Sequence, residues 1–191
     1  ELPEFYGIAP CSVLGMLTDD GIVAGCEGDV LGTVTMLIQE KLAGTKPFFC
    51  DIISLDYERN EAVAWHCGAA APSLKSEKHD CEVCRHSIVD GGGRKGLTNE
   101  FPLRKGKATV MRLGEDKGSG HRLFAAAGEA LDTSMLLRGN PLRVKFASPL
   151  KTIASAIVGN GFEHHYSLAH ADLSSEAGKL CDWLDMEKHL F

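Results

Sequence analysis

The sequence lacks several features that would assign it to a class at once. No apolar stretch reaches the roughly 20 residues needed to cross a bilayer, and no segment has the pattern of a secretory signal. No Lys/Arg cluster stands out, and a formal charge of −6 argues against a nucleic-acid surface. There is no internal repeat. Nor is there a disulfide framework. The seven cysteines are odd in number, and Cys11, Cys26, Cys50, Cys67 and Cys181 are scattered through apolar segments. Only Cys81 and Cys84 stand close together. A reducing cytoplasm is the expected setting. The opening Glu1-Leu2-Pro3-Glu4-Phe5 has no initiator Met and no helix or strand pattern, so the chain reads as cut from something longer. A fragment is the preferred explanation, with proteolytic maturation as the other.

What is present suits a globular protein. The 191 residues are 44% apolar, enough for a core and for one domain, or one small domain plus a piece of another. Residues 10–18 suggest a short helix ended by Asp19-Asp20-Gly21. Ile22–Cys26 is an apolar run bounded by glycine, as in a buried strand. Asp29 is placed to cap a helix over 30–43, with Val30, Val34, Leu37 and Ile38 on one face and Gly44 after its end. That order is α/β in character.

After Pro47 the texture changes. Segments 48–57 and 61–66 read as a hairpin joined by Glu58-Arg59-Asn60. Residues 73–106, with Gly91-Gly92-Gly93, read as a long irregular excursion. Strands are expected over 107–114, 121–131, 142–147 and 161–170. Helices are expected near 149–158 and over 174–187, the latter capped by Ser174. The fold class is therefore an α/β segment (1–46) followed by a mainly antiparallel β-barrel or sandwich (47–191) with a few helices.

Five places could carry chemistry. Glu27, in Cys26-Glu27-Gly28-Asp29, would end the buried strand and open the helix, where ligands bind in α/β layers. Its local pattern alone fits a helix-initiating acidic cluster better. Asp51 lies in an apolar strand, and the alternation Phe49/Asp51/Ile53 puts it on an apolar face, where a carboxylate needs a partner. His66, in Trp65-His66-Cys67-Gly68, reads first as a satisfied core histidine. His164 and His165 are adjacent, so a regular strand admits only one of them to a site. Carboxylates plus imidazole form a mixed O/N set suited to Mn²⁺ and similar ions. The run His79-Asp80-Cys81-Glu82-Val83-Cys84-Arg85-His86 has one C-x₂-C pair but no second. It reads as a polar loop with incidental cysteines rather than a zinc site.

Taken together, these segments resemble the L-fucose isomerase-like proteins and, more distantly, L-arabinose isomerase. The resemblance is carried by Tyr6–Cys11, by Ala24–Val30 with the helix after it, by Trp65–Gly68 with Ala71-Pro72, and by His164-His165-Tyr166. It implies the end of a middle α/β domain and a C-terminal six-stranded Greek-key-like barrel. It also implies Glu27, Asp51 and His165 as ligands of a divalent cation, Mn²⁺ first, with His66 the least settled of the four. The implied activity is interconversion of an aldose and a ketose through an ene-diol. One of Glu27 and Asp51 would take the C2 proton and the other would serve the hydroxyl. The implied partners are a monosaccharide, the chain's own preceding region and neighbouring subunits, so the isolated piece is expected to be inactive or very weakly active. A non-catalytic sugar-binding or structural barrel, and an ene-diol-type epimerase, are the alternatives.

Overall fold

The computed structural model describes residues 5–86, 96–115, 118 and 120–191. Glu1–Glu4 and the Gly91–Gly93 run lie outside the described residues. The fold is mixed and sheet-rich, with four α-helices and nine strands among the described residues. In chain order these are α1 (Cys11–Asp19), α2 (Val30–Ala43), β1 (Phe48–Asp56), β2 (Glu61–His66), β3 (Glu82–Arg85), β4 (Leu97–Glu100), β5 (Gly106–Glu115), β6 (His121–Ala130), β7 (Asn140–Phe146), α3 (Leu150–Asn160), β8 (His165–Ala169), α4 (Ser174–Leu184) and β9 (Glu187–Leu190). No helix among the described residues is long and apolar enough to cross a membrane.

Six strands pair antiparallel in a closed ring, β1-β2-β7-β6-β5-β8 and back to β1. β6 shares one edge between two partners: Gly128–Ala130 pairs with β7, and Arg122–Ala125 pairs in parallel with β9. β3 and β4 form a separate two-stranded ribbon inside the segment expected to be irregular.

Strand alternation sorts side chains between two cores. Ala108 and Val110 of β5, Phe124 of β6 and Leu168 of β8 join Phe48, Leu142 and Val144 in one cluster, which Leu150 and Ile153 of α3 complete. Met111 and Leu113, Leu123 and Ala125, and Ala169 point the other way. There they meet Ala177 and Cys181 of α4 and Leu31, Ile38 and Leu42 of α2. The period of two in the sequence is thus used on both faces of the same strands.

Four local expectations are corrected. Ile22–Cys26 is not a strand. It is short and follows Gly21 at φ 92°, and the Ala24 N–H is taken by Thr18 Oγ1 rather than by a sheet partner. The loop instead lies against α2, where any side chain at position 25 would collide with Thr33. Ser174 does not cap α4; it is the helix's first residue, and its hydroxyl and N–H both bond the Asp172 carboxylate. The β1 alternation breaks at a bulge between Ile52 and Ser54, so Ile53 is exposed while Phe49 is buried. The expected amphipathic face of α2 is used only in part: Ile38 packs into the second core, but its other members do not. Val30, Val34 and Leu37 are exposed, Val30 by 70%, while Gly32, Thr35, Met36 and Gln39 are buried. The polar face is satisfied by β5: Thr35 Oγ1 accepts the Leu113 N–H and Gln39 donates to Thr109 O.

Candidate metal centre

Asp29 is the hinge of the site. It is the N-cap of α2, its Oδ1 accepting the Gly32 N–H at 2.8 Å, as the sequence suggested. Just before it the chain makes a tight reversal in which Glu27 (φ 57°) and Gly28 (φ 71°) are both left-handed. A non-glycine residue in that conformation costs about 1–3 kcal/mol, and such strain clusters where a side chain must be aimed. The reversal leaves the Glu27 carboxylate 56% exposed beside the ring of strands.

The strands supply the other members. Asp51 of β1 stands directly opposite His165, the first residue of β8. His66 is the last residue of β2. Phe49 packs between the two imidazoles, its ring centroid 4.6 Å from that of His165 and 5.4 Å from that of His66. His165 Nε2 lies 3.7 Å from Glu27 Oε2 and 3.8 Å from Asp51 Oδ1, and His66 Nε2 lies 3.9 Å from Glu27 Oε1. One donor atom from each of Asp51, His66 and His165 falls within 4.8 Å of the others. So do those of Glu27, His164 and His165, and of Cys26, Glu27 and His66.

All four residues singled out by sequence therefore converge. His164 precedes β8, which begins at His165, so strand alternation does not decide where it points, and its donor atom lies within 4.8 Å of those of Glu27 and His165. The separations are informative. Gaps of 3.7–3.9 Å are too long for hydrogen bonds. They fall between the cis and trans spacings, about 3.0 and 4.2 Å, of ligands with bonds of about 2.1 Å to a common ion.

The residues present fit such an ion. Asp51 Oδ1 is buried with no hydrogen-bond partner, a costly arrangement that a cation would relieve. Burial pushes the Asp51 carboxyl up and Glu27 adds to it, against the pull of His165 and His164. Burial also pushes His66 down to about 4, keeping it neutral and able to ligate. Half-buried Cys26 is raised to about 12, first by burial and then by the charge of neighbours.

Two contributors escaped the sequence reading. Asp29 Oδ2 lies 3.1 Å from His165 Nδ1 and 2.5 Å from Arg112 Nη1. With Nδ1–H donating to Asp29, the His165 Nε2 lone pair is left for a cation, the usual carboxylate–imidazole arrangement behind a metal. Burial would raise Asp29. The hydrogen bonds from Arg112 and Gly32, the Arg112 charge and His165 outweigh it and hold the carboxyl below its ordinary value. Arg112 is only 3% exposed and also reaches Glu163 at 3.3 Å. Its signal was visible: a lone cation inside the apolar strand Thr109–Leu113. Gly32 makes room for the pair, because a Cβ there would sit 2.8 Å from Arg112 Nη1, Asp29 Oδ2 and Phe49 Cε2.

No family model matches the chain. Searches of characterised proteins find sulfoquinovose isomerases. That of Alkalicoccus urumqiensis is 35% identical over 178 residues, which is 91% of this chain and 39% of that protein. That of Priestia aryabhattai is 32% identical over 194 residues, 99% of this chain and 42% of that protein. That of Clostridium sp. (strain MSTE9) is 35% identical over the same shares. The chain thus spans about two fifths of the length of the curated relatives it matches. These matches overturn the assignment to the L-fucose/L-arabinose isomerases: the similarity runs to isomerases named for another sugar. The motifs quoted for that assignment carry Glu27, His66 and His165, and residues of those types do not by themselves distinguish sugars.

Proposed function

We propose that the chain carries the metal centre of an aldose–ketose isomerase. Glu27, Asp51, His165 and His66 would hold a divalent cation, Mn²⁺ first, as suits two carboxylates with two imidazoles. The observation that carries this reading is the convergence of His66 and His165 on a buried, unpartnered Asp51 oxygen, with Glu27 facing both imidazoles. The names of the relatives support isomerisation and make sulfoquinovose the first substrate to try. The cation, when bound, would polarise the sugar carbonyl and stabilise the negative charge of an ene-diolate. One of the two carboxylates accepts the C2 proton and returns it at C1, while the other takes and restores the hydroxyl proton. Glu27 is the more exposed of the pair, so an incoming sugar meets it first. Asp29 keeps His165 in one tautomer throughout, and Phe49 keeps both imidazoles in place.

The test uses the intact protein, stripped of metal and resupplied with Mn²⁺, acting on sulfoquinovose in D₂O. Conversion to a ketose with solvent deuterium at the transferred position is expected. Glu27→Gln should lower kcat by about 10²–10⁴-fold. Full activity in Glu27→Gln, or turnover independent of any divalent ion, refutes the proposal; an aldose product instead of a ketose assigns epimerisation. We further place the protein in a reducing cytoplasm, supported by its seven free thiols. The exposed row Val30, Val34 and Leu37 begins beside the centre, and we assign it to contact with a second copy of the chain. Leu37→Glu should then delay elution of the intact protein in size-exclusion chromatography, and unchanged elution refutes the contact.

A further inference from the structure

Behind His66 lies a second cluster that the isomerase reading does not use. Cys11 is the first residue of α1, Cys67 follows β2 and His86 follows β3. All three are buried, and each offers a donor atom within 4.8 Å of the others. Their backbones are fixed by a dense local network. His86 N–H donates to Gly96 O, and Gly96 is in turn so close to Ala9 that a Cβ would lie 2.2 Å from its nitrogen. Buried Asn99 accepts from the Ser12 hydroxyl and donates to Ala70 O, tying α1 to the loop after Cys67. Three segments far apart in sequence are thereby held around one point before any ligand is added.

We infer that Cys11, Cys67 and His86 form a binding site for a thiophilic divalent ion, Zn²⁺, separate from the carboxylate centre. Cys11 Sγ and Cys67 Sγ are 3.8 Å apart. Two thiolates at about 2.3 Å from a tetrahedral zinc are also separated by about 3.8 Å. The donor chemistry points the same way, because two sulfurs and an imidazole disfavour Mn²⁺ and Mg²⁺ and suit zinc. Uptake balances simply: both thiols give up a proton to solvent, His86 binds through a neutral nitrogen, and the fourth corner goes to water. The sequence had set His86 beside Cys81 and Cys84. The fold takes it away from them and brings it to two cysteines some 20 and 75 positions earlier in the chain.

The site also adjoins the first. His66 Nε2 is 3.9 Å from Glu27 Oε1, while its Nδ1 is 3.6 Å from Cys67 Sγ. A zinc bound there would fix the position of Cys67 and hence the back of a proposed ligand of the other ion. The two assignments remain separable, because this cluster pairs two thiols and the carboxylate centre does not.

The test titrates the reduced, metal-free intact protein with Zn²⁺ and then with Co²⁺, with excess Mn²⁺ present. One equivalent of Zn²⁺ that Mn²⁺ does not displace is expected. Co²⁺ in the same place should show sulfur-to-cobalt charge transfer and tetrahedral d–d absorption. Cys11→Ser and Cys67→Ser should each reduce the charge-transfer band and weaken Zn²⁺ binding by at least about tenfold, the smaller loss that even an outer-shell change brings. Cys26→Ser, which removes the thiol beside Glu27, should leave both unchanged. X-ray absorption at the zinc edge of the unmutated protein needs no variant and should count two sulfurs. A zinc edge with only nitrogen and oxygen neighbours overturns the site. So does a charge-transfer band that survives loss of both Cys11 and Cys67, or a reduced protein that takes up no Zn²⁺.

Discussion

Replacing Asp29 by Asn separates the two roles of that residue. Asn is as good an N-cap as Asp, so the bond from Gly32 N–H and the start of α2 should survive at almost no cost. What is lost is the charge. Arg112, 3% exposed, then keeps Glu163, whose half-exposed carboxylate lies 3.3 Å from Nε. Breaking a buried pair by removing one partner costs about 3–5 kcal/mol, and the surviving Glu163 contact reduces that to about 2–3 kcal/mol here. His165 loses its anionic partner at 3.1 Å. The corresponding effect on a bound cation is about 10–100-fold in affinity. Urea denaturation of the metal-free protein reads the first quantity, and Mn²⁺ titration followed by electron spin resonance reads the second. Asp29→Ala adds loss of the cap and should cost about 1 kcal/mol more. A fall in stability for Asp29→Asn of under about 0.5 kcal/mol, within the range of an ordinary surface substitution, together with unchanged Mn²⁺ affinity, would refute the reasoning.

Three further outcomes are expected. Glu27→Gly should relieve the left-handed strain at φ 57° and raise the unfolding free energy by about 1 kcal/mol while abolishing turnover; a destabilised variant contradicts it. Gly32→Ala sets better helix propensity, about 1 kcal/mol, against a Cβ 2.8 Å from Asp29, Arg112 and Phe49. Overpacking of that kind costs about 1–3 kcal/mol, so net destabilisation should appear in calorimetry, and a higher Tm would show that the neighbours give way. His170 is held by burial at about 4, below its ordinary 6.5, despite its bond to Arg104 O. The unfolded chain therefore takes up a proton below pH 6.5 that the folded chain refuses until about pH 4. Stability falls as pH drops through that window, by up to about 3 kcal/mol. His170→Gln should flatten the fall in urea midpoints between pH 7 and 4.5, and parallel curves for the two proteins would exclude the assignment.

Much of the secondary structure was legible because it is local. β5, β6 and β7 follow from apolar spacing between turn residues, and α2 is bracketed by Asp29 and by Gly44 at φ 63°. What failed was the choice of neighbour. The apolar row Val30/Val34/Leu37 marks a helix but does not say which face the sheet will cover. Here β5 presents its N–H and C=O groups to Thr35 and Gln39 and takes the polar face instead. Ile22–Cys26 is apolar enough for a strand, yet its Ala24 N–H goes to Thr18 Oγ1 instead of a sheet partner. The hairpin β3–β4 in the supposedly irregular segment has only four residues a side, too few for a periodic signal. His86 was read with its sequence neighbours, whereas its spatial neighbours come from α1 and the end of β2.

The candidate centre was more legible than the fold around it, for a physical reason. A carboxylate in an apolar strand, such as Asp51, must find a partner, so its chemistry shows in its immediate context. The same rule applied to Arg112 demands an anion, which the fold supplies from Asp29 of Cys26-Glu27-Gly28-Asp29. The two readings of that motif were set against each other as alternatives, helix cap or functional site. The geometry makes them one device. Oδ1 of Asp29 starts the helix while Oδ2 gathers His165 and Arg112, so the cap fixes where the relay stands. The left-handed turn before it then has one freedom left, which is to aim Glu27 at the same imidazole from the solvent side. Moving the helix start by a single residue would therefore misplace both the carboxylate that orients His165 and the one that faces it, which is why the capping residue and the strained residue belong to one site.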